Sequence, residues 1–210
     1  MGDHNLVLLE FLNPENLIRY GGLLLLAVIL FAESGVFFCF FLPGDSLLFT
    51  AGLLSGSDYL PHSVFLVIPV LIAASLTGSI TGYYSGRWAR HLLPKGDNFF
   101  LKKKYMDMTE EFYKQHGMFA FIIGKFLPII RTFVTILAGV VRIDFNKFLG
   151  YNILGTTVWI TSLVLAGHFL GRAFPQTIDY LEIIVILMIV ITAIPPIMVW
   201  LRSKRTKDSA

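Results

Sequence analysis

Residues 41–54 read FLPGDSLLFTAGLL, and residues 126–141 read FLPIIRTFVTILAGVV. Both stretches run Phe-Leu-Pro, one charge, a short apolar run and Ala-Gly. The charge is Asp45 in the first and Arg131 in the second. Two Pro/Gly-broken apolar segments in matching places, carrying opposite charges, point to a transport site between two halves of a membrane protein. The match is approximate, since Pro43 lies eight residues before Ala51 and Pro128 ten before Ala138.

The composition agrees with a membrane setting. Of 210 residues, 55% are hydrophobic and only 15% charged, against about 25% charged in soluble domains, and the mean hydropathy is +0.70. The length suits one membrane domain over residues 1–210. Cys39 is the only cysteine and lies in an apolar run, the setting of an inert thiol. The five histidines are scattered, no Cys/His cluster has metal-ligand spacing, and neither a Gly-rich phosphate loop nor a GxSxG elbow occurs. No nucleophile, base and orienting group are assembled, so no enzyme, cofactor, metal or nucleic-acid partner is expected.

Apolar runs cover residues 17–32, 36–54, 64–86, 118–141, 148–170 and 183–201. A membrane-crossing helix needs ~20 apolar residues; the third, fifth and sixth runs meet this, and the first does if Arg19 snorkels to the interface. In the other two, Pro43-Gly44 and Pro128 break the helix, with Gly139 a further breaker. Non-helical backbone at membrane depth survives only where protein or trapped water satisfies it. The expected fold is therefore an all-α integral membrane protein. It has re-entrant helical hairpins at 34–56 and 118–142 in inverted topology, about four transmembrane helices and a cytoplasmic amphipathic helix. Two kinked spanning helices are the alternative to the hairpins. The first half covers 17–86 and the second 118–175; a loop at 87–117 joins them, and a last helix at 180–201 leads to a basic tail at 202–210.

Lys and Arg gather in 87–116 and after Leu201, whereas the loop at 55–62 has none. The positive-inside rule puts 87–117 and the C-terminus in the cytoplasm. The first hairpin then enters from outside and the second from inside. Residues 99–114, FFLKKKYMDMTEEFYK, place Leu101, Tyr105, Met108 and Phe112 on one helical face, the pattern of an interfacial helix. Its Lys102, Lys103 and Lys104 either hold anionic lipids or set topology alone.

Four ionisable residues look intramembrane: Glu33, between the first two apolar runs, and Asp45, Lys125 and Arg131 within runs. Each unpaired charge costs ~2.5–3.5 kcal/mol at a helix centre on the insertion scale, so they are paired, hydrated or used. Arg131 offers a planar fork for phosphate oxygens and Lys125 a compact point charge. The competing account is a structural salt-bridge cluster between the hairpins. Asn152 and Trp159 are further candidates to line the site. Gly78, Gly82 and Gly86 form a face for close helix contact, and His168 suits an interface position.

These residues together resemble the DedA family of membrane proteins, the group that shares the VTT (SNARE-associated Golgi) domain. The matching phrases are Glu33 with Phe41-Leu42-Pro43-Gly44-Asp45 and Ala51-Gly52, then Gly82-Tyr83 with Gly86-Arg87. Gly124-Lys125-Phe126-Leu127-Pro128, Arg131-Thr132 and Ala138-Gly139-Val140 follow, then Phe145, Phe148, Tyr151-Asn152, Gly155 and Trp159. The resemblance covers about residues 17–175. It implies lipid handling in the bacterial cytoplasmic (inner) membrane, with flipping of undecaprenyl phosphate or other phospholipids linked to the proton motive force. The family's acidic pair maps onto Glu33 and Asp45, and its basic pair onto Lys125 and Arg131. The chain departs from the pattern at Lys125, where arginine is usual, at Thr135, where proline is typical, and at Ser79, where aspartate is common.

The expectation is a proton-linked transporter of a lipid phosphate. Lys125 and Arg131 bind the phosphate, and Glu33 and Asp45 exchange protons. A proton-coupled antiporter of small cations or cationic drugs is the second reading, and a non-transporting envelope assembly factor the third. An oligomer is compatible with all of them.

Overall fold

A computed structural model describes residues 14–36, 44–92 and 128–174, together with Cys39, Leu42, Ile122, Lys125 and Phe126. The described residues form five helices: α1 (Pro14–Gly35), α2 (Gly44–Leu54), α3 (Val64–Leu92), α4 (Pro128–Val141) and α5 (Phe145–Ala173). They contain no sheet, only isolated bridges that join Ser55 and Ser57 to Leu60 in the α2–α3 turn. The all-α expectation holds. The amphipathic segment 99–114 with Lys102, Lys103 and Lys104, the last apolar run and the basic tail lie outside the described residues.

Local chemistry sets the helix ends. Asp144 caps α5, its carboxylate accepting from the Asn146 and Lys147 amides at 3.1 Å each. Pro128 opens α4, where its missing N–H removes no bond. Asp45 sits in the first turn of α2, on the favourable side of the helix dipole. Gly22, at φ 55° and ψ −155°, interrupts α1.

Length then separates two classes of helix. Val64–Ala89 and Phe145–Ala173 are long and apolar enough to cross a membrane. By contrast, α2 has 11 residues, ~17 Å at 1.5 Å per residue, about half of a ~30 Å hydrocarbon layer. The apolar part of α1, Gly21–Gly35, also falls short of a span. The first run, expected to cross, thus ends with a break on either side: the kink at Gly22, and non-helical Val36 beyond Gly35.

Small residues fix how the helices pair. A Cβ at Gly78 would meet the Phe31 carbonyl, and one at Gly82 the Gly35 carbonyl at 3.3 Å, so α1 and α3 run parallel. Gly167 abuts the Phe49 carbonyl and Gly171 the Leu53 carbonyl, so α2 runs parallel to α5. Lys125 reaches Ser79, and Ile136 lies against Gly86, so α4 follows α3. Tyr83, toward the end of α3, stacks on Phe148, near the start of α5, with ring centroids 4.7 Å apart; these two long helices are antiparallel.

Each short helix therefore packs on the long helix of the other half. The contacts correspond atom for atom. Gly52 of α2 meets the Val164 carbonyl, while Gly167, three residues further along α5, meets Phe49, three residues before Gly52. Gly139 of α4 meets the Tyr83 carbonyl, while Gly86, three residues further along α3, meets Ile136, three residues before Gly139. Gly139, expected to break a hairpin, instead lies inside a regular helix and serves this close approach.

The surface is apolar. Leu24 is 77% exposed, Phe65 86% and Trp88 66%. The exposed hydroxyls of Thr77, Thr81, Ser85 and Ser162 donate back to carbonyls one turn earlier and so need no water.

Candidate functional site

The C-terminal end of α1 and the N-terminal ends of α2 and α4 meet beside Gly78 and Trp159, the midpoints of α3 and α5. Glu33, Asp45 and Arg131 are thereby brought together. The Arg131 guanidinium divides its fork: Nη1 donates to Asp45 Oδ1 at 2.6 Å, and Nη2 donates to Glu33 Oε1. Glu33 and Arg131 are almost fully buried, and the Asp45 side chain retains 13% exposure, so only the Asp45 arm touches the exterior.

The α5 face supplies the wall. The Trp159 ring lies 4.6 Å from the Arg131 guanidinium carbon, and its Nε1–H donates to Asp45 Oδ1 at 3.0 Å. One side chain thus stacks on the cation and orients its anion. Asn152 and Thr156 lie on the same buried face. Thr132 ties α4 to α1 by donating from Oγ1 to the Glu33 carbonyl at 2.9 Å, and Ser34 and Ser75 join α1 to α3 at 2.8 Å.

Lys125 sits apart from the carboxylates. It is 2% exposed, and its Nζ donates to Ser79 Oγ at 3.1 Å. Ser79 thus offers Lys125 a neutral hydroxyl and no counter-charge. Gly44 is required by the site, because a Cβ there would overlap the Glu33 carboxylate. Thr135 donates to the Thr132 carbonyl at 2.7 Å, and α4 continues unbroken past it. Pro43 lies outside the described residues.

Among the described residues, three buried polar atoms of this interior have no hydrogen-bond partner: Glu33 Oε2, Arg131 Nε and, about two turns before Trp159 on α5, Asn152 Nδ2. Two are donors. With the ammonium of Lys125, they give the interior spare donor capacity for an anion. Sequence reasoning found the four ionisable residues and Trp159, but not the Thr132 tie or the role of Ser79, which depend on contacts between distant segments.

The VTT domain pattern matches residues 42–169. The protein DedA of Escherichia coli (strain K12) is 32% identical over 187 residues, 89% of this chain and 85% of that protein. An uncharacterized membrane protein of Mycobacterium tuberculosis (strain ATCC 25618 / H37Rv) is 34% identical over 87% of this chain and 80% of its own length. The inner membrane protein YghB of Salmonella typhimurium is 30% identical over 83% of the chain and 82% of its own length. No solved structure matches. The matched segment contains Asp45, Lys125, Arg131 and Trp159, and the chain is a membrane protein of the DedA family, carrying the VTT domain.

Proposed function

We propose that this protein carries a lipid phosphate across the bacterial cytoplasmic membrane together with protons. The observation that carries this reading is the sharing of Arg131 between Glu33 and Asp45, beside the midpoints of the two long helices. A phosphate competes for the same fork, because it presents two oxygens in the geometry of a carboxylate pair. When it binds, the two carboxylates lose their partner and take up protons. When they release those protons, they reclaim Arg131 and expel the phosphate. Lys125, Arg131 Nε and Asn152 Nδ2 supply the donors for the phosphate oxygens, and the lipid tail stays in the bilayer.

The half-length of α2 and the opposite directions of α2 and α4 support two re-entrant hairpins entering from opposite faces. In this account the first hairpin takes in the end of α1 and the whole of α2. Substrate sites at the meeting of inverted repeats lie near the midplane, with half-helix N-termini turned toward the anion. The basic segment 87–117 and the C-terminus then face the cytoplasm, and Lys102, Lys103 and Lys104 meet anionic lipid there. The protein acts as a transporter and not as an enzyme.

Vesicles holding purified protein under an imposed pH gradient test the coupling. Acid outside should speed inward movement of a fluorescent lipid phosphate, and Glu33→Gln should abolish the acceleration. Cation-dependent proton efflux without lipid movement would replace this reading with the antiporter.

A further inference from the structure

A cavity of about 470 Å³ opens where the ends of α2 and α5 meet the start of α3, away from the central cluster. Its volume is within the usual range for small-molecule sites, ~300–1,000 Å³. His168 and Arg172, one turn apart on α5, line it together with Ser55, Ser57 and Ser63. No carboxylate is among the described lining residues. Phe65, 86% exposed, forms an apolar wall continuous with the outer surface of α3.

The hydrogen bonds determine what the cavity offers. Ser55 Oγ donates its one proton to the Gly52 carbonyl at 2.7 Å. Its 2.8 Å contact with His168 Nδ1 must then be a bond donated by the ring. Nε2 is the remaining polar atom of the imidazole. Ser57 likewise commits its proton to the Leu54 carbonyl. Ser63 Oγ accepts from the Phe65 amide at 3.3 Å, which leaves its own proton to donate. Arg172 is exposed. One permanent cation, one imidazole of fixed orientation and a free hydroxyl beside an apolar wall describe a receptor for a phosphate group with an attached hydrocarbon chain.

We infer that this cavity is a second phosphate site, which takes a phosphate monoester headgroup from the leaflet at that face, with Arg172 and Ser63 Oγ donating to its oxygens and His168 Nε2 accepting from the P–OH of the singly protonated headgroup. The assignment goes beyond the transport reading and does not depend on it. A site there would concentrate anionic lipid at the ends of α2 and α5.

Chemical modification of His168 by diethyl pyrocarbonate tests the site, with peptide mass spectrometry as the readout and His62 of the same loop region as internal control. The protein is held in a non-ionic maltoside detergent. Phosphatidic acid should slow modification of His168 by at least about fivefold, as expected for a charge-assisted contact, and leave His62 unchanged. Diacylglycerol with the same chains should give no protection. Inorganic phosphate giving equal protection would identify the free anion as the ligand of the same site. Arg172→Gln should remove protection, and Arg131→Gln, at the central cluster, should retain it. That last arm separates this proposal from the failure of the transport reading. Protection by diacylglycerol, its absence with both phosphate probes, or its survival in Arg172→Gln would overturn the inference.

Discussion

At the residue scale, the central cluster assigns different work to side chains that composition treats alike. Both basic residues are buried, but Arg131 has two carboxylates and an aromatic face, while Lys125 has a serine. Removing one member of a buried pair is more damaging than replacing the pair, because the partner charge is left uncompensated, at ~3–5 kcal/mol. Arg131→Ala should therefore unfold at a clearly lower temperature in detergent than Lys125→Ala, and equal losses would show that the carboxylates are not held by Arg131. Trp159→Phe should keep the ring over the guanidinium and lose only the bond to Asp45. Transport should then fall by about tenfold, a loss of ~1.4 kcal/mol, and Trp159→Ala should fall further. Equal activity in the two would remove the stacking role. The charges themselves were legible in the sequence, because ionisable residues in apolar runs are conspicuous. The pairing of Lys125 was not, since it depends on Ser79, 46 positions away.

At the element scale, the Ala-Gly ends of the two related phrases explain the packing more than the Phe-Leu-Pro beginnings do. Gly52 and Gly139 let α2 and α4 press against the backbone of α5 and α3. Gly52→Ala and Gly139→Ala should each cost ~1–3 kcal/mol of stability, the usual penalty of overpacking. Gly150, on the exposed side of α5 with nothing near it, should gain ~0.5–1 kcal/mol on replacement by Ala. Thermal melts of the three variants in one detergent check the contrast, and a common shift would contradict it. The sequence announced the helix starts at Gly44 and Pro128, since proline and glycine act locally. It did not announce that Gly139 is a contact residue, because a glycine reads the same whether it bends a chain or admits a neighbour. The stop of α1 at Gly35, which leaves Glu33 at a helix end, falls in the gap between the first two apolar runs.

At the scale of the whole molecule, the exchange of short helices between halves places one site at the midpoint of both long helices. The antiparallel α3 and α5 put the α2–α3 turn and the start of α5 at opposite ends. In a Cys39→Ala background, Asp58→Cys should react with a membrane-impermeant thiol reagent from outside intact cells, and Lys147→Cys only after lysis. Labelling of both from one side would contradict the antiparallel arrangement in the membrane. Membrane character was legible from hydropathy, and the halves from the repeated phrase. Which short helix packs on which long one was not, because the deciding contacts are backbone to glycine and leave no charge or periodicity. The central claim is that Arg131, released by protonated Glu33 and Asp45, carries the phosphate through the membrane. It is tested most directly by the rate at which purified protein in liposomes moves a fluorescent lipid phosphate between leaflets, compared with folded Arg131→Gln. The account predicts clear movement by the wild type and a fall of at least about a hundredfold, ~2.7 kcal/mol, in the variant; equal rates in the two would contradict it.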